Sequence, residues 1–406
     1  MMAAVDVRTI AGGVATPAGF RAAGVACGIK ASGKPDLALI VSDGPASAAA
    51  VFTTNVAQAA PVVVSRDHLA ESGGHAVAVV INSGCANACT GPDGLADARD
   101  MAARTAEAVG CGPAHVLVAS TGVIGVKLVR PAVTKGIGMA AAALSPAGGS
   151  DAAQAIMTTD PFPKEAAAEV TVAGGTFRVG GMAKGSGMIE PMMATMLAFI
   201  TTDAQIEPPL LQRALAAAVN DTFNAISVDG ECSTNDCVFA LASGAAGVAV
   251  RDAEFPALVA ALKSVCEPLA IGIVRGGEGA TKLITIRVTG ARTPDDARTT
   301  ARAIANSPLV KTAVHGGDPN WGRLVAVAGR ATRTLVLDRA RVRIGPVELF
   351  SNGGPHDERA PEAAEYLRGT DITLEVDLGT GGTGEAQMWT CDLTAEYVRI
   401  NAEYRT

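Results

Sequence analysis

A threonine hydroxyl at the end of a glycine-rich run offers this chain a nucleophile. The segment Gly180-Gly181-Met182-Ala183-Lys184-Gly185-Ser186-Gly187-Met188-Ile189-Glu190-Pro191-Met192-Met193-Ala194-Thr195-Met196-Leu197 is first glycine-rich, then apolar, then carries Thr195. At neutral pH a threonine needs a base, and an α-amine of pKa about 7.7 to 8.0 can act as one if the threonine is itself N-terminal. The Ala194–Thr195 bond must then break: Thr195 attacks the Ala194 carbonyl, the acyl group moves from nitrogen to oxygen, and water hydrolyses the ester. The small Ala194 side chain and the upstream glycines permit the bend this attack needs. Thr195 equally suits the first position of an ordinary strand, Thr195 to Ile200 being β-branched and apolar.

Three further places can serve such chemistry. Ser120-Thr121-Gly122 follows the apolar run Val116–Ala119. A turn at a strand tip can aim N–H groups from Thr121 and Gly122 at a developing oxyanion, or can be merely a turn. Lys184, set among glycines, can grip a carboxylate. Glu278 in Gly276-Gly277-Glu278-Gly279 can hold an ammonium group, although both charges also read as solvated surface residues. Asp318-Pro319-Asn320-Trp321-Gly322-Arg323 reads first as a structural corner in which Asp318 and Arg323 can pair.

The elements that must position these residues read as short buried strands and amphipathic helices. Val170–Ala173 and Thr176–Val179 flank Gly174-Gly175 as a hairpin. Leu37–Val41 and Ala76–Ile81 have the continuous apolar character of strands covered on both faces. Helical spacing recurs over 94–109, 208–226 and 254–274, and Thr293-Pro294-Asp295-Asp296 opens another helix with an N-cap, a proline and first-turn acids.

Composition bounds the class. The 406 residues are 49% hydrophobic and 18% charged, which makes a sizeable globular core, and the 3% aromatic content with abundant Ala, Val and Gly points to a tightly layered α/β protein. A net charge of -7 without any Lys/Arg cluster argues against a nucleic-acid partner. No run of eighteen apolar residues and no basic-then-apolar start is present, so a soluble cytoplasmic protein without a membrane partner is expected. Eight scattered cysteines and five dispersed histidines build neither a disulfide framework nor a four-ligand metal site.

Taken together the motifs resemble a known family. Gly28-Ile29-Lys30, Asn82-Ser83-Gly84-Cys85-Ala86-Asn87-Ala88, Ser120–Gly125, Ile156-Met157-Thr158-Thr159-Asp160, Gly181–Ile189, Met193–Leu197, Ser233-Thr234-Asn235-Asp236 and Asp318–Arg323 occur in order and spacing along essentially the whole chain. The chain is similar to the ornithine acetyltransferases, also called glutamate N-acetyltransferases, of arginine biosynthesis.

The resemblance implies a layered αββα-type sandwich and self-cleavage before Thr195. Cleavage would leave an α fragment, 1–194, interlocked with a β fragment, 195–406, in an α2β2 heterotetramer. It implies ping-pong transfer of acetyl from N-acetylornithine to glutamate through acetyl-Thr195, with acetyl-CoA a first donor in some members and no metal or organic cofactor. Carried over by position, Thr195 is the nucleophile, Thr121 and Gly122 form the oxyanion hole, and Thr158, Lys184, Thr195, Glu278, Asn401 and Thr406 contact substrate. Met192 departs from the polar residue usual there, and Cys232 and Cys237 stand where Thr is common. Two other readings remain open: a self-processing N-terminal-nucleophile amidase or aminopeptidase in which water takes the acyl group, and an uncleaved amino-acid-binding protein.

Overall fold

The computed structural model describes residues 6–190 and 196–403. Ala194, Thr195, Met192 and Thr406, all singled out above, lie outside them. The described residues divide into two units: 6–190, 196–224 and 231–273 form the first, and 225–230 and 274–403 the second.

The first unit opens with strands β1 (Asp6–Ile10), β2 (Phe20–Val25) and β3 (Leu37–Phe52), then alternates α1 (Ala60–Glu71), β4 (His75–Cys85), α2 (Gly91–Val109) and β5 (Val116–Val123). Helices α3 (Arg130–Ala143) and α4 (Gly149–Ala155) precede the hairpin β6 (Lys164–Val172) and β7 (Gly175–Lys184). After the glycine-rich segment come β8 (Leu197–Thr202), β9 (Gln205–Ile206), α5 (Pro208–Asn220), β10 (Cys237–Ala242), β11 (Ala249–Val250) and α6 (Phe255–Arg275). Nine strands form one mixed sheet in the order β1-β6-β7-β8-β10-β3-β4-β5, with β2 also paired to β3.

That sheet doubles over. Side chains alternate along β3, β4 and β5 because the strand period is two. Leu37, Leu39, Val80 and Val118 pack under α1, α2 and α3, in a core with Val64, Met101, Ala102 and Ile137. Their neighbours Ala38, Ile40, Ile81 and Leu117 face the other way and share a second core with Met182, Leu197, Phe199 and Phe239 from β7, β8 and β10 and with Ile156 at the end of α4. On the far side of β7, a methyl group added at Gly181 would meet Ile200, Val265 and Leu269 at 2.8 to 3.0 Å, so α6 lies directly on the sheet there. The order through these elements is helix, sheet, sheet, helix.

The expected hairpin forms, with Val172 opposite Gly175, and runs further than the alternation alone indicates. Other expectations shift. Strand β5 does not stop at Ala119 but continues through Ser120-Thr121-Gly122. The helix expected over 208–226 ends at Asn220, followed by a short 3-10 turn over Phe223–Ala225. Strand β8 starts at Leu197, two residues later than expected. Helix α6 is long and apolar enough to cross a membrane. Leu258, Leu262, Val265 and Leu269 on it are buried within the protein, which is the position of a core helix.

The second unit contains β12 (Leu283–Ala291), α7 (Pro294–Ala305), α8 (Pro308–Gly316), α9 (Trp321–Ala331), β13 (Arg341–Ile344), β14 (Val347–Ser351) and β15 (Gly354–Pro355). It is completed by α10 (Ala360–Tyr366), β16 (Asp371–Asp377), β17 (Gly384–Cys391) and α11 (Ala395–Glu403). Its six strands run in the order β15-β14-β13-β16-β12-β17. Ile284, Ile286 and Val288 point to a core with Ala297, Ala301 and Ile304 of α7, while Arg287 faces out to Gln387 at 3.1 Å. The cap read from sequence is present: Asp296 N–H donates to Thr293 Oγ1 at 3.1 Å. Asp318 and Arg323 find other partners than each other. Arg323 Nη1 donates to the Leu309 carbonyl at 2.6 Å, and Asp318 Oδ2 accepts from Asn320 Nδ2 at 3.1 Å.

Candidate active site

Thr121 and Gly122 owe their position to an irregularity in β5. The strand runs parallel to β4 in regular register up to Gly84 and Gly122, where pairing shifts because Cys85 faces both Thr121 and Val123. Such a slip bends a strand and re-aims its groups. Gly122 has φ +132°, and a Cβ there would lie 2.3 Å from the Gly84 carbonyl carbon, so only glycine fits. The bend is pinned from two sides. Ser120 Oγ donates to Asn82 Oδ1 at 2.5 Å, and Asn235 Nδ2 donates to the Ser120 carbonyl at 2.9 Å and to the Ala86 carbonyl at 2.6 Å. Asn82, Ser120 and Asn235 are all buried, where an unmade hydrogen bond is expensive.

Lys184 ends β7, paired with Leu197 of β8, and is 4% exposed. Its Nζ donates to Thr121 Oγ1 at 3.1 Å. The surface reading of this lysine is thereby replaced by a buried one. A buried ammonium needs compensating charge, and Asp160 supplies it. Burial works to raise the Asp160 carboxyl, but Lys184 and Lys164 outweigh it and hold the group down at about 2. Asp160 Oδ1 accepts from Lys164 Nζ at 2.6 Å and from Gly185 N–H at 2.8 Å. Its Oδ2 accepts from Thr158 N–H at 3.0 Å. One carboxylate thus joins Thr158 to the peptide that follows Lys184.

Glu278 and Asn401 belong to the second unit. Glu278 is 6% exposed, so it too is no surface charge, and its Oε2 accepts from Asn401 Nδ2 at 2.8 Å. Asn401 sits on α11 rather than on a fraying tail. Thr394 Oγ1 donates to the Gly279 carbonyl at 2.8 Å, which ties the start of this helix to the glycine loop.

Burial raises the thiols of Cys232 and Cys237, so both stay protonated at neutral pH. Among the described residues, no three His, Cys, Asp or Glu side chains are grouped to hold a metal ion.

A family model for ArgJ matches residues 21–406. The chain belongs to the ArgJ family. An arginine biosynthesis bifunctional protein ArgJ from Synechococcus is 50% identical over 98% of this chain and 98% of its own length. Another ArgJ protein, from Symbiobacterium thermophilum, is 50% identical over 98% of this chain and 99% of its own. Among solved structures, an ornithine acetyltransferase from Mycobacterium tuberculosis complexed with ornithine is 42% identical, covering 47% of this chain and 100% of that chain, with a TM-score of 0.43. Thr121, Gly122, Thr158 and Lys184 stand inside the motifs quoted from the sequence, whereas Glu278 and Asn401 were named there by position alone. The residues that pin them, Asn82, Asn235, Asp160 and Lys30, stood inside the quoted motifs without an assigned role.

Proposed function

We propose that this ArgJ-family chain cleaves itself before Thr195 and transfers acetyl from N-acetylornithine to glutamate through acetyl-Thr195. The observation that carries the reading is the buried 3.1 Å contact between Lys184 and Thr121, beside a glycine whose backbone cannot bear a side chain. It brings together the end of the strand that leads into the cleavage segment and the strand that supplies the oxyanion donors. The new α-amine takes the proton from the Thr195 hydroxyl, the oxygen attacks the acetamide carbonyl, and Thr121 and Gly122 stabilise the negative oxygen. Collapse of the tetrahedral species expels the ornithine α-amine with a proton and leaves an acetyl ester. The glutamate α-amine then attacks that ester and regenerates the hydroxyl.

On the same reading Lys184 and Thr158 contact substrate, as do Glu278, Asn401 and Thr406. Donor and acceptor are both α-amino acids, so one set of carboxylate contacts serves both. Sheet topology supports cleavage without dissociation. Strands β8 and β10, from 195–406, lie between β7 and β3, from 1–194. A cytoplasmic α2β2 assembly, with acetyl-CoA as a further donor and no cofactor, completes the reading.

The test supplies N-acetylornithine with and without glutamate. N-acetylglutamate formation that depends on glutamate is expected. Acetate release indifferent to glutamate would instead make the chain an amidase. Intact mass must show a fragment starting at Thr195, and a persistent full-length chain would favour an amino-acid-binding protein.

A further inference from the structure

Thr158 is held by a device that the transferase reading does not use. The Met157–Thr158 peptide unit is gripped at both ends by side chains of opposite charge. Lys30 Nζ donates to the Met157 carbonyl at 2.7 Å, and the Thr158 N–H of the same planar unit donates to Asp160 Oδ2 at 3.0 Å. In a trans peptide these two groups point in opposite directions, so the plane is fixed from both sides. Both hydrogen bonds are charge-assisted, which makes them stronger than neutral ones.

Each clamp is itself anchored. Lys30 Nζ also donates to the Pro35 carbonyl at 2.7 Å. The loop carrying Lys30 wraps the fully buried Asp36 carboxylate, which accepts from the N–H groups of Cys27, Gly28, Ile29 and Lys30 at 2.7 to 3.1 Å. Asp160 is locked by Lys164 at 2.6 Å. The same oxygen, Oδ1, also accepts from Gly185 N–H and so fixes the peptide next to Lys184. The series Lys30, Thr158, Asp160, Lys184 and Thr121 is therefore continuous. A neutral side chain could hold a loop carbonyl without burying an ammonium group. Burial pulls the Lys30 ammonium down to about 8, against the attraction of Asp36, with Asp160 and Lys184 also within electrostatic range.

We propose that Lys30 and Asp160 are positioning residues that fix the Met157–Thr158 peptide of the site, and that the contribution of Lys30 to turnover passes through Thr158. The proposal rests on the transferase reading for the role of Thr158. It is tested by a double-mutant cycle of Lys30→Met with Thr158→Val in the full chain, scored as kcat/KM for acetyl transfer from N-acetylornithine to glutamate. Rates are normalised to cleaved protein measured by intact mass. K30M is expected to lower kcat/KM by roughly 10-fold in the parent chain and by less than about 2-fold in the T158V background. Equal losses in both backgrounds, or a T158V variant as active as the parent, would overturn it. Should K30M fail to accumulate, Lys30→Ala, which also lacks the donor, replaces it in the same cycle with the same expectation. Absence of glutamate-dependent transfer in the unaltered protein would sink the transferase reading itself, and is seen before any variant is compared.

Discussion

Lys184 and Thr121 touch although four strands separate theirs in the sheet order. Five strand spacings of about 4.8 Å would put β7 and β5 roughly 24 Å apart in a flat sheet. The contact exists because the sheet doubles over and closes its two layers at this end. Replacing Lys184 with Met removes the donor to Thr121 and a cation that holds the Asp160 carboxyl down. Transfer activity is expected to fall by about 100-fold or more, in line with the loss of a buried group that orients an oxyanion site. Steady-state rates of K184M on N-acetylornithine and glutamate check this, and activity within about 3-fold of the parent would contradict it.

Gly122 tolerates no side chain. Alanine there meets the Gly84 carbonyl carbon at 2.3 Å and must also hold φ +132°, where L residues are strained. Gly122→Ala is expected to cost about 1–3 kcal/mol in unfolding free energy. It should also cost transfer activity out of proportion to that loss, because the strand has to shift to accommodate the methyl group. Thermal unfolding and kcat measured on the same preparation separate the two effects.

Acid should weaken the first unit through Asp160. Its carboxyl ordinarily titrates at 3.8 and in the folded chain at about 2, because Lys184 and Lys164 outweigh the effect of burial. A depressed folded pKa gives stability that is complete above the unfolded value and is lost as pH falls through the folded one. The window is therefore about pH 4 down to pH 2, and the effect is on the order of 2 kcal/mol. Asp160→Asn should be less stable at pH 7, since Lys164 loses its partner, yet flatter across that acid window. Melting curves at pH 5, 4 and 3 read both. Parallel curves for D160N and the parent would show that Asp160 is not the group concerned.

Asn401→Ala removes a donor from the buried Glu278 carboxylate, which the 2.8 Å bond ties to α11. If Glu278 contacts substrate, KM should rise about 10-fold with a smaller change in kcat, the pattern of lost binding common to ground and transition states. A change confined to kcat would point to another role.

Thr195→Ala should abolish both cleavage and turnover, since the same hydroxyl is asked to attack first the Ala194 carbonyl and then the substrate. Intact mass and the transfer assay decide it, and complete cleavage in T195A would show that the nucleophile is another residue.

The sequence carried the local features well, and the tertiary ones only in part. The hairpin of β6 and β7 was legible because its turn chemistry is contiguous, and α7 because Thr293, Pro294 and two acids stand together. Strand β5 runs further than its apolar residues indicate. Its extension through Ser120-Thr121-Gly122 depends on pairing with β4 and on Asn235, a side chain 115 residues away. Helices α3 and α4 leave little trace in the sequence, because their alanine- and glycine-rich segments give little amphipathic contrast. Lys184 and Glu278 read as surface charges because burial of a charge is decided by partners that no local window contains. The Lys30 clamp joins residues 127 positions apart, and nothing about a Gly-Ile-Lys triplet announces a carbonyl at Met157.

The placement of β8 and β10 between β7 and β3 has a consequence for the order of events during synthesis. When residue 194 leaves the ribosome, the partial sheet holds two unfilled edges, and the strands that fill them end only at Ala242. Until then the unpaired edges invite association with other chains. On the proposed self-cleavage, scission belongs after folding: a chain severed early would have to recruit its central strands from solution, whereas one severed late keeps them as an already inserted wedge.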